Sequence, residues 1–311
     1  MSHLLALSLV PPAPQAATPD LLRSFLAGRT PHTLRAYRAD LEDFARWLGA
    51  PDLDTAAHRL LSDGPGRGNA LGLAYRANLL DRQLAAATVN RRLAALRSLV
   101  KLARTIGLVA WTLEVPGLKT QAYRDTRGPG VKGVRRILRA TAARTDTKGI
   151  RDLAIVRLLF DLGLRRAEVV CLDVADVDMA QGTVAVLGKG HSDKVSLTLP
   201  EPTQSALRAW LAVRGPEAGP LFRNVDRAKK GGRLTATGLY RMVRRLGVQV
   251  GLTVRPHGLR HAAITAALDL TGDLRAVQRF SRHRDVRVLT LYDDNRTDLG
   301  GDVARRVAAQ A

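Results

Sequence analysis

"LGLRRAEVVCLDVADVDMAQGTVAVLGKGHSDKVSLTL", residues 162–199, changes its hydrophobic period twice. Just before and into it, "IRDLAIVRLLFDLGL" (150–164) is apolar on most of its circumference and reads as a buried helix ending near Gly163. A short helix follows from 166. Then "TVAVL" (183–187) and "KVSLTL" (194–199) alternate around the turn "GKGHSD" (188–193), the pattern of a β-hairpin. Beyond it, helical periodicity returns at about 203–213, 236–250, 258–270, 273–281 and 286–293. The chain is therefore expected to be mainly α with one small β-hairpin or sheet (α+β).

Working outward, Thr30-Pro31 makes a helix start, with Pro in the first turn, and Leu34, Tyr37, Leu41, Phe44 and Leu48 recur at helical spacing. "SDGPGRGNA" (62–70) reads as a loop and 70–84 as a helix. A further helix follows Thr88, with Val89, Leu93, Leu96, Val100 and Ala103 on one face and Arg91, Arg92, Arg97, Lys101 and Arg104 elsewhere on its surface. These segments divide the chain into a disordered tail (1–19), a helical domain (20–114), a Pro/Gly-containing linker (115–130) and a C-terminal domain (131–311). The first residues lack a Lys/Arg run before their short apolar stretch, so they do not read as a signal peptide. No segment approaches membrane-spanning length. A cytoplasmic, nucleoid-associated protein is expected, with no membrane partner.

The 311 residues are 46% hydrophobic and 25% charged, ordinary for a folded chain. The balance of charge is not ordinary: 49 Lys+Arg against 28 Asp+Glu gives +21. Residues 1–120 hold 15 basic and 9 acidic side chains and the remainder 34 and 19, so both halves are basic. That favours a polyanionic partner, nucleic acid or an anionic surface, although an arginine-rich composition produces the same total. Cys171 is the single cysteine, which excludes an intrachain disulfide framework and a cysteine metal site. Within "VVCLDV" it reads as a small core residue.

Four pieces carry candidate chemistry. Arg165 stands just past a helix end with Glu168 three residues on, and Lys189 occupies the hairpin tip. "RPHGLRH" (255–261) puts His257 and Arg260 at i and i+3, on one face of a helix opened by Pro256. "SRHRDVRVLTLYDD" (281–294) holds His283 and, nine positions later, Tyr292. Singly, each has a plainer explanation: surface arginine, exposed turn lysine, solvated helix pair, core histidine, packed tyrosine. "LGKGHS" lacks the spacing of a phosphate-binding loop.

In order and together, these pieces resemble the catalytic domain of the tyrosine recombinases, the phage-integrase family, over about residues 130–300. "LGLR" is similar to that family's first-arginine motif. The 24 residues from Arg165 to Lys189 match its Xer branch, and His257-Gly258-Leu259-Arg260 matches its His-x-x-Arg box. "TPHTLRAYRADLEDFARWL" and "TVNRRLAALRSLVKLA" look like its core-binding domain. Two departures stand out: "SRH" replaces a small-Gly-His sequence, placing Arg282 at a compact position, and "LRRAE" replaces "LRxSE".

The resemblance implies a site-specific recombinase that cuts and rejoins DNA through a 3′-phosphotyrosyl link. In it Tyr292 is the nucleophile, Arg165 and Arg260 hold the phosphate, His257 takes the tyrosine proton, and Lys189 protonates the 5′ oxygen. His283 hydrogen-bonds a non-bridging oxygen and Glu168 orients the cations. Arg91, Arg92, Arg97 and Lys101 are the implied DNA contacts of the N-terminal domain. Double-stranded DNA and further copies of the chain, as a tetrameric synapse, are the implied partners. A second recombinase or an accessory DNA-bending protein is also compatible with it. No cofactor or metal is expected. A type IB topoisomerase-like enzyme and a non-catalytic regulator of the same fold are the alternatives.

Overall fold

The computed structural model describes residues 18–27, 31–119, 128–188, 193–226, 231–292 and 299–310. The side chains of 18–20, 31–32, 291, 299–300, 302–303 and 306 fall outside that description. The chain divides into two compact units, Met1–Gln121 and Ala122–Ala311.

The N-terminal unit contains α1 (Thr18–Leu26), α2 (Pro31–Leu48), α3 (Leu53–Leu61), α4 (Gly64–Asp81) and α5 (Ala86–Thr105). The apolar faces read from the sequence meet in one core that includes Phe25, Phe44, Tyr75, Leu93 and Leu96. The segment 62–70, expected as a loop, is instead largely helix: α4 begins at Gly64, with Pro65 in its first turn, where a missing N–H costs nothing. Two of its glycines, Gly68 and Gly72, are there for contact. A Cβ on Gly68 would lie 2.4 Å from the Trp111 ring, and one on Gly72 would lie 2.6 Å from Val115. The bare backbone thus lets residues 111–115 close over α4, and Val115, expected to open a linker, is 2% exposed.

The C-terminal unit contains α6 (Gly130–Ala142), α7 (Thr147–Asp161), α8 (Arg166–Cys171), β1 (Val177–Asp178), β2 (Thr183–Leu187) and β3 (Lys194–Thr198). After the sheet come α9 (Glu201–Arg214), α10 (Ala236–Gln249), α11 (Pro256–Thr271), α12 (Leu274–Ser281) and α13 (Leu299–Ala308). The hairpin gains a third antiparallel strand, in the order β1-β2-β3, with Leu187 opposite Lys194. The apolar helix read at 150–164 is α7, the centre of the unit. Ala154, Ile155, Leu158 and Leu159 have no solvent exposure, and α6, α9 and α11 pack around it. Residues 286–292 form 3-10 turns rather than an α-helix, held against α11 and α12 through Ile264, Val277, Leu289 and Tyr292.

Cys171 is exposed rather than in the core. The short α8 turns Val169 and Val170 inward, and the residue after them emerges on the outer side. Among the described residues no helix is long and apolar enough to cross a membrane.

Candidate active site

The site grows from the C-terminus of α7. Gly163 takes a φ of +56°, a left-handed conformation that suits glycine, and a Cβ there would meet the Phe280 ring at 3.2 Å. Its carbonyl accepts from the guanidinium of Arg260, and Leu162 offers its carbonyl to Arg282 at 3.2 Å. A helix C-terminus carries partial negative charge, so arginines are the appropriate neighbours. The chain then turns, and Arg165 enters α8 as its N-cap.

Glu168, 4% exposed, anchors this turn. Its Oε2 accepts the backbone N–H of Arg165 at 2.8 Å and the Arg282 guanidinium at 3.1 Å, while Oε1 accepts from the Arg165 guanidinium at 2.7 Å. Burial alone would raise its pKa. The Arg165 N–H and the charges of Arg282 and Arg165 outweigh burial and hold it below the usual carboxylate value, so it stays ionised.

Arg260 is 2% exposed, on the inner face of α11. It donates to the carbonyls of Gly163 and Ser281 and reaches His283 Nε2 at 3.3 Å. Burial, then the charges of Arg165 and Arg282, lower its pKa to about 10, which leaves it charged at neutral pH. A guanidinium only donates, so Nε2 of His283 accepts and the imidazole proton sits on Nδ1, which is buried and has no partner among the described residues. Burial and then the Arg260 and Arg165 charges push the His283 pKa down to about 4, so this ring is neutral near pH 7.

Tyr292 is 5% exposed. Its ring lies 4.7 Å from that of His261 and 5.4 Å from that of His283, and its carbonyl accepts from Thr265 at 3.3 Å. Burial raises the phenol pKa, and the nearby charges of Arg260 and Arg165 pull against it without reversing the shift. His257 opens the exposed edge of the site. Surrounding protein, then Arg260 and Arg165, lower its pKa, which makes it a proton acceptor at neutral pH. A cleft of about 380 Å³ adjoins these groups, lined by Arg165, Arg166, Tyr240, Arg255, His257 and Arg260.

Five of the six catalytic candidates and Glu168 therefore converge. Lys189 lies outside the described residues. Lys194, further along the hairpin, pairs with Asp176. His261, Thr265 and Arg282 were not read as site residues. The only sequence signals for them are the position of His261 beside Arg260 and the unusual "SRH".

The basic residues of α5 are placed differently. Arg91 binds Asp40 at 2.5 Å and Arg92 binds Asp43 at 2.7 Å. Arg92 is only 15% exposed in its side chain, so the structure gives it an internal ion pair rather than an open cationic surface. Arg97 is half-buried and reaches the Val115 carbonyl at 3.4 Å, while Lys101 is exposed.

Comparison with known proteins gives the same outline. The phage integrase family matches residues 131–298, and its N-terminal SAM-like domain matches residues 20–106. A tyrosine recombinase of Synechocystis sp. is 42% identical over 276 residues, 86% of this chain and 88% of that protein. Tyrosine recombinase XerC of Alcanivorax borkumensis is 28% identical over 275 residues, 85% of this chain and 83% of that one. The solved structure of the Tn1549 transposon integrase with transposon right end DNA superposes with a TM-score of 0.69 at 15% identity, covering 95% of this chain and 100% of that one. With its arginines, histidines and tyrosine gathered at the end of α7 and both family models matched in order, the chain belongs to the phage integrase family of tyrosine recombinases.

Proposed function

We propose that the protein is a site-specific DNA recombinase that cleaves and rejoins strands through a covalent tyrosine intermediate. The observation that carries this reading is the gathering of Arg165, His257 and Arg260 along one cleft, with Arg260 bonded to His283 and the His283 ring 5.4 Å from that of the buried Tyr292. A phosphodiester gathers negative charge on its non-bridging oxygens as it is attacked, and two guanidiniums are fixed donors for that charge.

In the proposed step the Tyr292 oxygen attacks phosphorus as His257 takes its proton. The phosphotyrosyl bond forms, the bond to the 5′ oxygen breaks, and that oxygen leaves with a proton from Lys189. His283, neutral, donates to a non-bridging oxygen once the phosphate draws the Arg260 guanidinium and the imidazole proton moves from Nδ1 to Nε2. The 5′ hydroxyl of a second strand reverses the step, so bonds are conserved and no ATP is consumed. Duplex DNA is the substrate, met by the net positive charge of both halves, and a tetramer around two duplexes is the working assembly. Val303 and Val307 stand at i and i+4 on α13, and Val307, 64% exposed, fits a tail that docks on a neighbouring protomer; the Val303 side chain lies outside the described residues.

The test is trapping. Wild-type protein should form an SDS-stable adduct with a nicked duplex carrying the sequence recovered from DNA trapped in cells. Tyr292→Phe should bind that duplex equally well and form none. An adduct with the phenylalanine variant would refute the assignment.

A further inference from the structure

We infer that Arg282 is a positioning residue for strand cleavage, a guanidinium clamp that ties Glu168 and the end of α7 to the turn carrying His283. The inference rests on the function proposed above. Arg282 sits at φ +55°, where glycine costs least, yet its side chain is only 13% exposed. It is folded back onto four acceptors: the carbonyls of Leu162 at 3.2 Å, Phe280 at 3.0 Å and Gly163 at 3.4 Å, and Glu168 at 3.1 Å.

The backbone of the same residue completes a circuit. Arg282 donates to Glu168, Glu168 accepts from Arg165, and Arg165 donates to the Arg282 carbonyl at 3.4 Å. Arg260 meets this circuit on both sides, at the Gly163 carbonyl that Arg282 also uses and at the Ser281 carbonyl one residue before it. Arg165, Arg260 and His283 come from three separate stretches of chain; Arg282 ties the first to the third and shares the Gly163 carbonyl with Arg260. A glycine in its place would relax the backbone but open the circuit, leaving Glu168 with Arg165 alone. The departure from the family's small-Gly-His pattern is thus a compensated exchange of backbone ease for a side-chain tie.

A double-mutant cycle on cleavage tests this, using the nicked duplex that traps the wild-type protein. Arg282→Gly should keep the wild-type circular dichroism spectrum and half-site affinity, and slow single-turnover cleavage roughly 10–100-fold, as expected for misplaced groups. Glu168→Gln should slow cleavage on its own, yet add less than about 3-fold in the Arg282→Gly background because the circuit is already open. Arg282→Lys, which can pair with Glu168 but cannot span the three carbonyls, should recover only part of the rate. If Arg282→Gly does not fold, the cycle between Arg282→Lys and Glu168→Gln reads the same coupling.

Wild-type cleavage by Arg282→Gly would overturn the inference, as would effects of the two substitutions that simply multiply. Both results would leave the functional reading intact. Absence of any adduct with wild-type protein is the distinct outcome that removes the functional reading, and this inference with it.

Discussion

Two arginine clusters, one in each unit, are built in opposite ways. In the N-terminal unit, Arg82 and Arg92 converge on Asp43 with the Tyr75 hydroxyl, and Arg91 binds Asp40. Both carboxylates are buried and matched by cations. At the end of α7 in the C-terminal unit, Arg165 and Arg282 share a single carboxylate, Glu168, and Arg260 binds only carbonyls and the His283 imidazole. Carbonyls satisfy hydrogen bonds without cancelling charge. The first arrangement stabilises a fold; the second keeps positive charge in reserve for an anion, and the cost of its burial is met by the dipole of the α7 terminus.

That contrast can be broken at several points. The largest effect separates cations that stabilise charge from one that gives up a proton. Lys189→Ala should slow cleavage of an ordinary site by roughly 10²–10⁴-fold and cleave a site with a bridging 5′ sulfur at nearly the wild-type rate, since a thiolate leaves unprotonated. Equal slowing on both substrates would remove Lys189 as the acid; Lys194, tied to Asp176, would need to leave that pair to replace it.

Next, Arg165→Ala should lower cleavage of bound DNA by roughly 10²–10³-fold with no sulfur rescue, whereas Arg92→Ala should leave the rate of bound DNA unchanged. A comparable loss from Arg92→Ala in single-turnover kinetics would erase the distinction between the two clusters.

Asp43→Asn should destabilise the N-terminal unit by about 3–5 kcal/mol, because it strands the guanidiniums of Arg82 and Arg92 beside a buried phenol. Hydrogen exchange should accelerate in α2, α4 and α5 while α7 remains protected. Uniform acceleration through both units would mean that they unfold as one.

The smallest effect is in pH. His283 titrates near 4 in the folded protein against 6.5 unfolded, so the unfolded chain takes up its proton first. Its contribution, up to about 3 kcal/mol, is complete above pH 6.5 and is lost as pH falls towards 4. Asp43 is held near 2, below its ordinary 3.8, because hydrogen bonds from Arg82 and Tyr75 and the charge of Arg92 outweigh the burial that would raise it. Its contribution is therefore lost only between about pH 4 and 2. The C-terminal unit should begin to weaken on mild acidification, before the N-terminal one, and His283→Asn should flatten that first loss. Identical melting profiles for wild type and variant between pH 6.5 and 4 would contradict the depressed value.

Where the sequence was legible, the reason was periodicity or spacing. The apolar run at 150–164 could only be a buried helix, and "TVAVL" and "KVSLTL" could only pair across their turn. Arg165, Glu168, His257, Arg260, His283 and Tyr292 stood out as candidates because their order and intervals resemble those of the tyrosine recombinases. Residues 62–70 were misread because glycine and proline usually mark loops; nothing local reveals that Trp111 and Val115 occupy the space that side chains would fill. Cys171 was misread for the converse reason, since an apolar neighbourhood does not say on which side a six-residue helix faces solvent.

The sequence by itself determined the helical class, the small sheet and the basic character of both halves, and its resemblance to a family supplied the candidate reacting groups. Those depend on residue type and on intervals along the chain. Tertiary structure decided which arginines are spent. Arg92 and Arg260 are both arginines on helices, but one meets Asp43 across a helix pair and the other meets only carbonyls and a neutral imidazole. A guanidinium's free charge depends on what lies across from it, and partners such as Asp43 and Ser281, 49 and 21 residues away, are brought there only by the fold.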